Sequence, residues 1–119
     1  MKNKIPMAFL VVALLLVTFG CKKKDDAQPY SSANSSPGAN EVWIQNMAFN
    51  PSSITVAVNT TIKWTNKDAV IHTATSNSGV FDSGSISDGG TYSYHFTTPG
   101  TYSYHCVPHP FMTATIIVQ

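Results

Sequence analysis

The sequence predicts an all-β domain, a two-sheet antiparallel sandwich of seven to eight short strands over residues 41–119. Three observations lead there. Apolar and polar residues alternate at period two in successive short runs, the mark of half-buried strands. Turn-forming groups separate the runs: Asn50-Pro51, Asn59-Thr60, Asn66-Lys67-Asp68, Ser78-Gly79, Asp88-Gly89-Gly90 and Pro99-Gly100. No window longer than about ten residues carries helical periodicity.

The strands follow in order. Val42–Gln45 opens the domain. Ile54, Val56 and Val58 alternate with Ser53, Thr55 and Ala57. Ile62 and Trp64 alternate with Thr61, Lys63 and Thr65. Val70–Thr75 is expected as a middle strand. Tyr92, Tyr94 and Phe96 form one later run; Tyr102, Tyr104 and Cys106 form the next. Thr113–Val118 closes the domain. Thr-Tyr-Ser-Tyr-His occurs at 91–95 and at 101–105, as two neighbouring strands of like pattern would give. A domain near 80 residues is marginal by burial alone, so a bound metal or a covalent constraint is expected.

Upstream, residues 1–20 read as a signal segment. Lys2 and Lys4 precede an apolar run from Ile5 to Phe19, which is signal-peptide length and short of a spanning helix. Gly20-Cys21 at the end of the run resembles the lipobox of bacterial lipoproteins, in which the cysteine is acylated. Lys22-Lys-Lys-Asp-Asp26 resembles the export tag that some of those lipoproteins carry. Residues 21–40 are otherwise Ser, Asn, Ala, Pro and Gly with little to bury, so they read as a tether. Together these imply an extracytoplasmic chain anchored to a bacterial membrane through lipid on Cys21, facing the periplasm or exposed at the cell surface.

The composition excludes other classes. The chain is 43% hydrophobic and 11% charged, with net charge +1 and no arginine. A nucleic-acid binder would show a basic patch. The apolar content is too high for wholesale disorder. Cys21 and Cys106 are too few and too different in context to make a disulfide framework.

The informative stretch is Cys106-Val-Pro-His-Pro-Phe-Met112. It brings a thiolate, an imidazole and a thioether within one short loop, where Pro108 and Pro110 forbid a helix. His72 is the candidate for a second imidazole. Two imidazoles, one thiolate and a weak axial thioether describe a blue-copper electron-transfer site. Soft sulfur suits Cu(I) and nitrogen suits Cu(II), so a mixed set serves both states with little rearrangement. Zinc, the main metal alternative, favours cysteine, histidine and carboxylate, and no carboxylate lies in or beside the loop. Four protein ligands leave no open position, which argues for electron transfer over catalysis. If Cys21 is acylated, Cys106 has no disulfide partner, and metal ligation explains a free thiol in an oxidising compartment.

This loop, the preceding Gly100-Thr-Tyr-Ser-Tyr-His105, Asn50-Pro-Ser-Ser-Ile-Thr-Val56, Ile62-Lys-Trp-Thr-Asn66 and His72-Thr73 resemble the cupredoxins of the plastocyanin and amicyanin group. The resemblance covers about residues 41–119. It implies a Greek-key sandwich holding one type 1 copper ion, with His72, Cys106 and His109 as ligands and Met112 as the axial one. It implies that the Thr73 N–H bonds the Cys106 sulfur and that Asn66 ties the two ligand loops together. One departure is that Asp68 and Ala69 stand in a loop with no proline before His72.

The expected role is a monomeric one-electron carrier, neither an enzyme nor a binder of a small-molecule substrate, meeting redox partner proteins transiently. The expected port is His109, within an apolar patch of Pro108, Pro110, Phe111 and Met47. A copper donor to a partner, or a metal-free adhesion or scaffold module, are the other readings. His95 and His105 are expected to face away from the site. Met47, Phe49, Trp43, Trp64 and the tyrosines are expected to pack.

Overall fold

The computed structural model describes residues 36–119. The signal segment, Cys21 and most of the tether lie outside the described residues. Eight strands follow one another: β1 (Glu41–Gln45), β2 (Ala48–Asn50), β3 (Ser53–Val56), β4 (Thr60–Asn66), β5 (Thr75–Ser76), β6 (Thr91–Phe96), β7 (Gly100–His105) and β8 (Thr113–Val118). There is no helix among the described residues.

The strands form two four-stranded sheets, ordered β2-β1-β4-β6 and β3-β8-β7-β5. The chain changes sheet repeatedly, so β4 and β6 pair while the intervening β5 sits in the opposite sheet. This is the Greek-key habit of sandwiches. The sheets are mixed rather than wholly antiparallel, because β1 pairs β4 and β3 pairs β8 in parallel. Between β1 and β4 the chain visits the other sheet as β3, and that crossover returns it in the same direction.

Alternation decides what is inside. Val42 and Ile44 of β1, Ile62 and Trp64 of β4, Tyr104 of β7, and Ala114, Ile116 and Val118 of β8 are buried. Phe49, Val56, Ala74, Phe81, Ile86 and Phe96 join them in the core, which Cys106 and Met112 extend. Trp64 lies at its centre, with Phe81, Tyr92 and Tyr104 rings 5.4–5.7 Å away. Its indole N–H donates to the Tyr104 hydroxyl at 3.1 Å, so neither buried polar atom is orphaned. Trp43 takes the outer face of β1, with the Lys67 ammonium 4.7 Å above its ring.

Two expectations about strands are corrected. Val70–Thr75 is not a strand. Its regular pairing is limited to β5 at Thr75–Ser76, with an isolated bridge between His72 and Ile86. The Asn66 side chain captures the Val70 carbonyl at 2.8 Å, and Val70 and Ile71 turn outward to solvent. Val58 lies past the end of β3 and is exposed, so the alternation there runs one residue pair too far. Conversely, β2 forms at Ala48–Asn50, where Phe49 is the single buried residue of a three-residue strand. A run that short carries no period to read.

Candidate metal centre

Two loops at one end of the sandwich supply the donors. The first leaves β4 at Asn66 and reaches β5 at Thr75. The second joins β7 to β8 and contains Cys106–Met112. Cys106 continues the inward alternation of Tyr104 and is fully buried. The second loop is closed by two backbone bonds, Cys106 N–H to the Met112 carbonyl at 3.1 Å and Met112 N–H to the His109 carbonyl at 2.9 Å. Pro108 and Pro110 fix φ at two of the intervening residues, which stiffens a loop with few bonds of its own.

The structure brings His72, Cys106 and His109 together, with one ligand atom of each lying within 4.8 Å of the others. The Cys106 Sγ is 3.6 Å from Nδ1 of His72 and 3.6 Å from Nδ1 of His109. With metal–donor bonds of about 2.0–2.3 Å and angles between tetrahedral and trigonal, sulfur and nitrogen would sit roughly 3.5–3.8 Å apart. The observed spacing therefore fits one metal ion. Met112 is buried at the end of the same loop. Cys106 is a free thiol. The donor set, soft sulfur with two imidazoles and a nearby thioether, suits copper better than zinc.

Surrounding groups hold the donors in place. The Thr73 N–H points at the Cys106 Sγ across 3.4 Å, and its Oγ1 accepts the Val107 N–H at 2.9 Å. Thr73 thus joins the two loops. The Asn66 side chain instead braces the first loop and ties it to the segment between β5 and β6: its Nδ2 donates to the Val70 and Ile86 carbonyls, and its Oδ1 accepts the Asp68 N–H. Asn66 is bonded to nothing in the Cys106–Met112 loop, so the loop-to-loop tie belongs to Thr73.

Asp68, which stands in the loop before His72, touches that ring directly. Its Oδ2 lies 3.0 Å from Nε2 of His72, on the side of the ring away from Cys106. The same carboxylate accepts the N–H groups of Asn46 at 2.7 Å and Met47 at 3.0 Å. Burial alone would raise its pKa. The Met47 and Asn46 N–H groups and the His72 ring outweigh that and hold it below the usual carboxylate range. An ionised carboxylate only accepts, so Nε2 of His72 carries the proton and Nδ1 faces the site.

The other histidines stand apart. His95 is exposed on β6, with its Nδ1 3.0 Å from the Thr61 hydroxyl. His105 faces away from Cys106 and meets the Asn77 side chain at 2.6 Å. Both ligand loops expose apolar side chains: Phe111 at 70%, Val107 at 54%, Ile71 at 51% and Val70 at 45% of their surface. Pro108 and Pro110 are exposed as well, and Met47 is half-buried against the core.

A β-sandwich carrying a Cys-His-His donor set across two loops at one end defines the cupredoxin class of copper proteins. The chain belongs to the family described as copper binding proteins, plastocyanin/azurin family, whose model matches residues 37–119. It is 30% identical to amicyanin-alpha of Methylorubrum extorquens over 95% of this chain and all of that one. It is 33% identical to amicyanin of Paracoccus denitrificans, over 76% of this chain and 73% of that one. Among solved structures, a Cu(I) form of an amicyanin variant superposes with a TM-score of 0.65 at 34% identity, covering 73% of this chain and 88% of that one. A copper-containing nitrite reductase from Thermus scotoductus also matches, with a TM-score of 0.63 at 27% identity, over 66% of this chain and 22% of that one.

Proposed function

We propose that the chain is a one-electron carrier built on a single type 1 copper ion. The observation that carries this reading is the Cys106 sulfur with an imidazole nitrogen 3.6 Å away on each side. His72 Nδ1, Cys106 Sγ and His109 Nδ1 would hold copper, with the buried Met112 thioether as a further, weaker donor. Bound copper would supply the Cu(II)/Cu(I) couple.

The chain's own part is to keep the donors fixed and dry. His72 and Cys106 are fully buried and Met112 is nearly so, which excludes water from most of the site. Thr73 clips one loop to the other, Asp68 orients His72, and the His109–Met112 backbone bond closes the second loop. Donors held before the electron arrives need little reorganisation when it does, which favours electron transfer over catalysis.

His109 is the least buried of the three donors and is the electron port. Around it, Pro108, Pro110, Phe111 and Met47, joined by Val107, Val70 and Ile71, offer an apolar docking surface. Residues 41–119 carry only Lys63 and Lys67 against Glu41, Asp68, Asp82 and Asp88. Partner proteins would therefore dock by a small apolar contact and leave quickly. The carrier acts as a monomer outside the cytoplasm, tethered to a bacterial membrane by lipid on Cys21. The lipobox-like Gly20-Cys21 and the polar tether support that anchor.

The test is the optical and EPR spectrum of the protein loaded with one equivalent of Cu(II). An intense visible absorption that disappears on reduction supports the reading. A pale, weakly absorbing Cu(II) complex overturns it. Challenge with a copper chelator of known strength separates a carrier of electrons, which keeps its ion, from a donor of copper, which gives it up. Mass spectrometry of the membrane fraction reads the anchor: acyl-modified Cys21 supports it, and an unmodified soluble chain removes it.

A further inference from the structure

The Asn46–Met47 turn between β1 and β2 is unusual in its backbone. Both residues are non-glycine and both have positive φ, 55° at Asn46 and 58° at Met47. Such a conformation is uncommon for residues other than glycine, although asparagine tolerates it. The two-residue hairpin loop between Gln45 and Ala48 calls for this turn, and one side chain braces it: the Asp68 carboxylate accepts both turn N–H groups, Asn46 through Oδ1 and Met47 through Oδ2. Its Oδ2 also accepts from Nε2 of His72. A surface turn and a buried donor of the metal centre thus share one acceptor. Asp68 has only 15% of its side chain exposed and His72 none, so the bond between them is shielded from water, whereas the Asn46 end of the link lies at the surface.

We propose that Asp68 is a positioning residue that couples the Asn46–Met47 turn, a part of the docking surface, to the orientation of His72. The reasoning is geometric. The carboxylate has a fixed position only while both turn N–H groups hold it. With it fixed, the His72 ring is pinned with Nε2–H outward and Nδ1 toward Cys106. Opening the turn releases the carboxylate, and the ring loses its outer restraint. The coupling is reciprocal, so a partner that seats on Met47 and closes the turn also fixes His72. The bond to Asp68 also makes the imidazole a stronger donor, which favours Cu(II) over Cu(I). The docking role of this turn and the effect on copper rest on the electron-carrier reading, whereas the link between turn and ring does not.

The test uses the full chain without metal, so it stands whether or not copper binds. The readouts are the exchange rate of the His72 Nε2–H proton and of the Asn46 and Met47 amides by NMR. Two variants probe the link from its two ends. Asp68→Asn should speed exchange at all three positions by tenfold or more. Asn46→Val puts a β-branched residue where φ is positive, opens the turn, and touches neither Asp68 nor His72 by side chain. It should speed His72 Nε2–H exchange by at least threefold.

Asn59→Val is the control, because Asn59 also has positive φ, at 68°, in the turn between β3 and β4. It should leave the His72 proton unchanged once global stability is matched. Equal effects of Asn46→Val and Asn59→Val, or no effect of Asp68→Asn on the His72 proton, would overturn the coupling. In copper-loaded protein, Asp68→Asn should also raise the reduction potential. A type 1 spectrum with an unmoved potential would reject the tuning. Absence of that spectrum would instead count against the electron-carrier reading and leave the NMR result in force.

Discussion

Thr73 reaches Cys106 in two ways at once: its backbone N–H lies 3.4 Å from the sulfur, and its hydroxyl accepts the N–H of the residue that follows, Val107. The first contact turns the positive end of an N–H dipole toward the sulfur. The second fixes the chain just beyond it. A donor from one loop is thereby held by a residue adjacent to a donor of the other, since Thr73 follows His72 directly. The spacing of His72 and Cys106 is set by this short connection rather than by the sheets alone.

Thr73→Val separates those two contacts. Valine keeps the shape and the backbone N–H but cannot accept from Val107 or bond the Thr75 hydroxyl, now 2.9 Å away. The expected cost is about 1 kcal/mol of unfolding free energy in urea titration of the metal-free protein. The visible band of the copper-loaded protein should move little, because the N–H to sulfur contact remains. A large spectral change without loss of stability would reverse this division of roles.

Cys106→Ala should abolish the intense visible absorption while the protein stays folded. The side chain is buried but small, and its loss costs about 1 kcal/mol, the scale of removing one methyl-sized group. Circular dichroism of the metal-free variant checks the fold, and absorption after addition of Cu(II) checks the colour. A variant that keeps the band would show that the thiolate is not a ligand.

Much of this was open to inference from the residues, for reasons that also mark the limit. Cys106, His109 and Met112 are close in sequence and stiffened by proline, so their spacing constrains where they can go. Thr113–Val118 is rich in β-branched residues and is a strand with those ends, burying every second one. Asp68 was not readable, because a spacing of four residues to His72 has meaning on a helix and none in a loop. The parallel pairing of β1 with β4 depends on which distant strand arrives beside which, and alternation is silent on that. Val70–Thr75 carries apolar residues that read as a strand, but the side chain of Asn66 claims the Val70 carbonyl, and Val70 and Ile71 face solvent.

Tyr104→Phe tests the polar pair inside the core. The Trp64 indole N–H would lose its acceptor in a site without water, at an expected cost of about 1–3 kcal/mol by urea or thermal unfolding. The same substitution reads out alkaline stability. Burial pushes the Tyr104 hydroxyl far above the usual phenol range, and the bond from Trp64 offsets only part of that. A group whose pKa is raised on folding stabilises the protein below its unfolded pKa. That contribution fades as pH climbs from the unfolded value, about 10. Stability should therefore fall above about pH 10, more shallowly in Tyr104→Phe. Some slope should remain, because Tyr92 is also raised, first by burial and then by Tyr94 and Asp82.

Glu41→Gln addresses the acid side. The Glu41 carboxylate is held below its ordinary value of 4.5 chiefly by the Thr65 hydroxyl, which donates to it at 2.7 Å. Partial burial opposes this, while the Lys63 ammonium at 3.3 Å and the Gly38 backbone add to it. These contacts fix the first residue of β1 to the neighbouring β4. A carboxyl group lowered on folding stabilises the protein above its unfolded pKa, and that contribution is lost as pH falls through the folded one. Stability of the wild type should thus drop as pH falls below about 4.5, and the drop should be shallower in Glu41→Gln. Glu41 touches none of the metal donors, so this change should appear equally in metal-free and copper-loaded protein. Denaturant titrations between pH 3 and pH 7, read for both proteins in both forms, make the comparison; identical acid limbs for wild type and variant would show that the Thr65 bond contributes nothing.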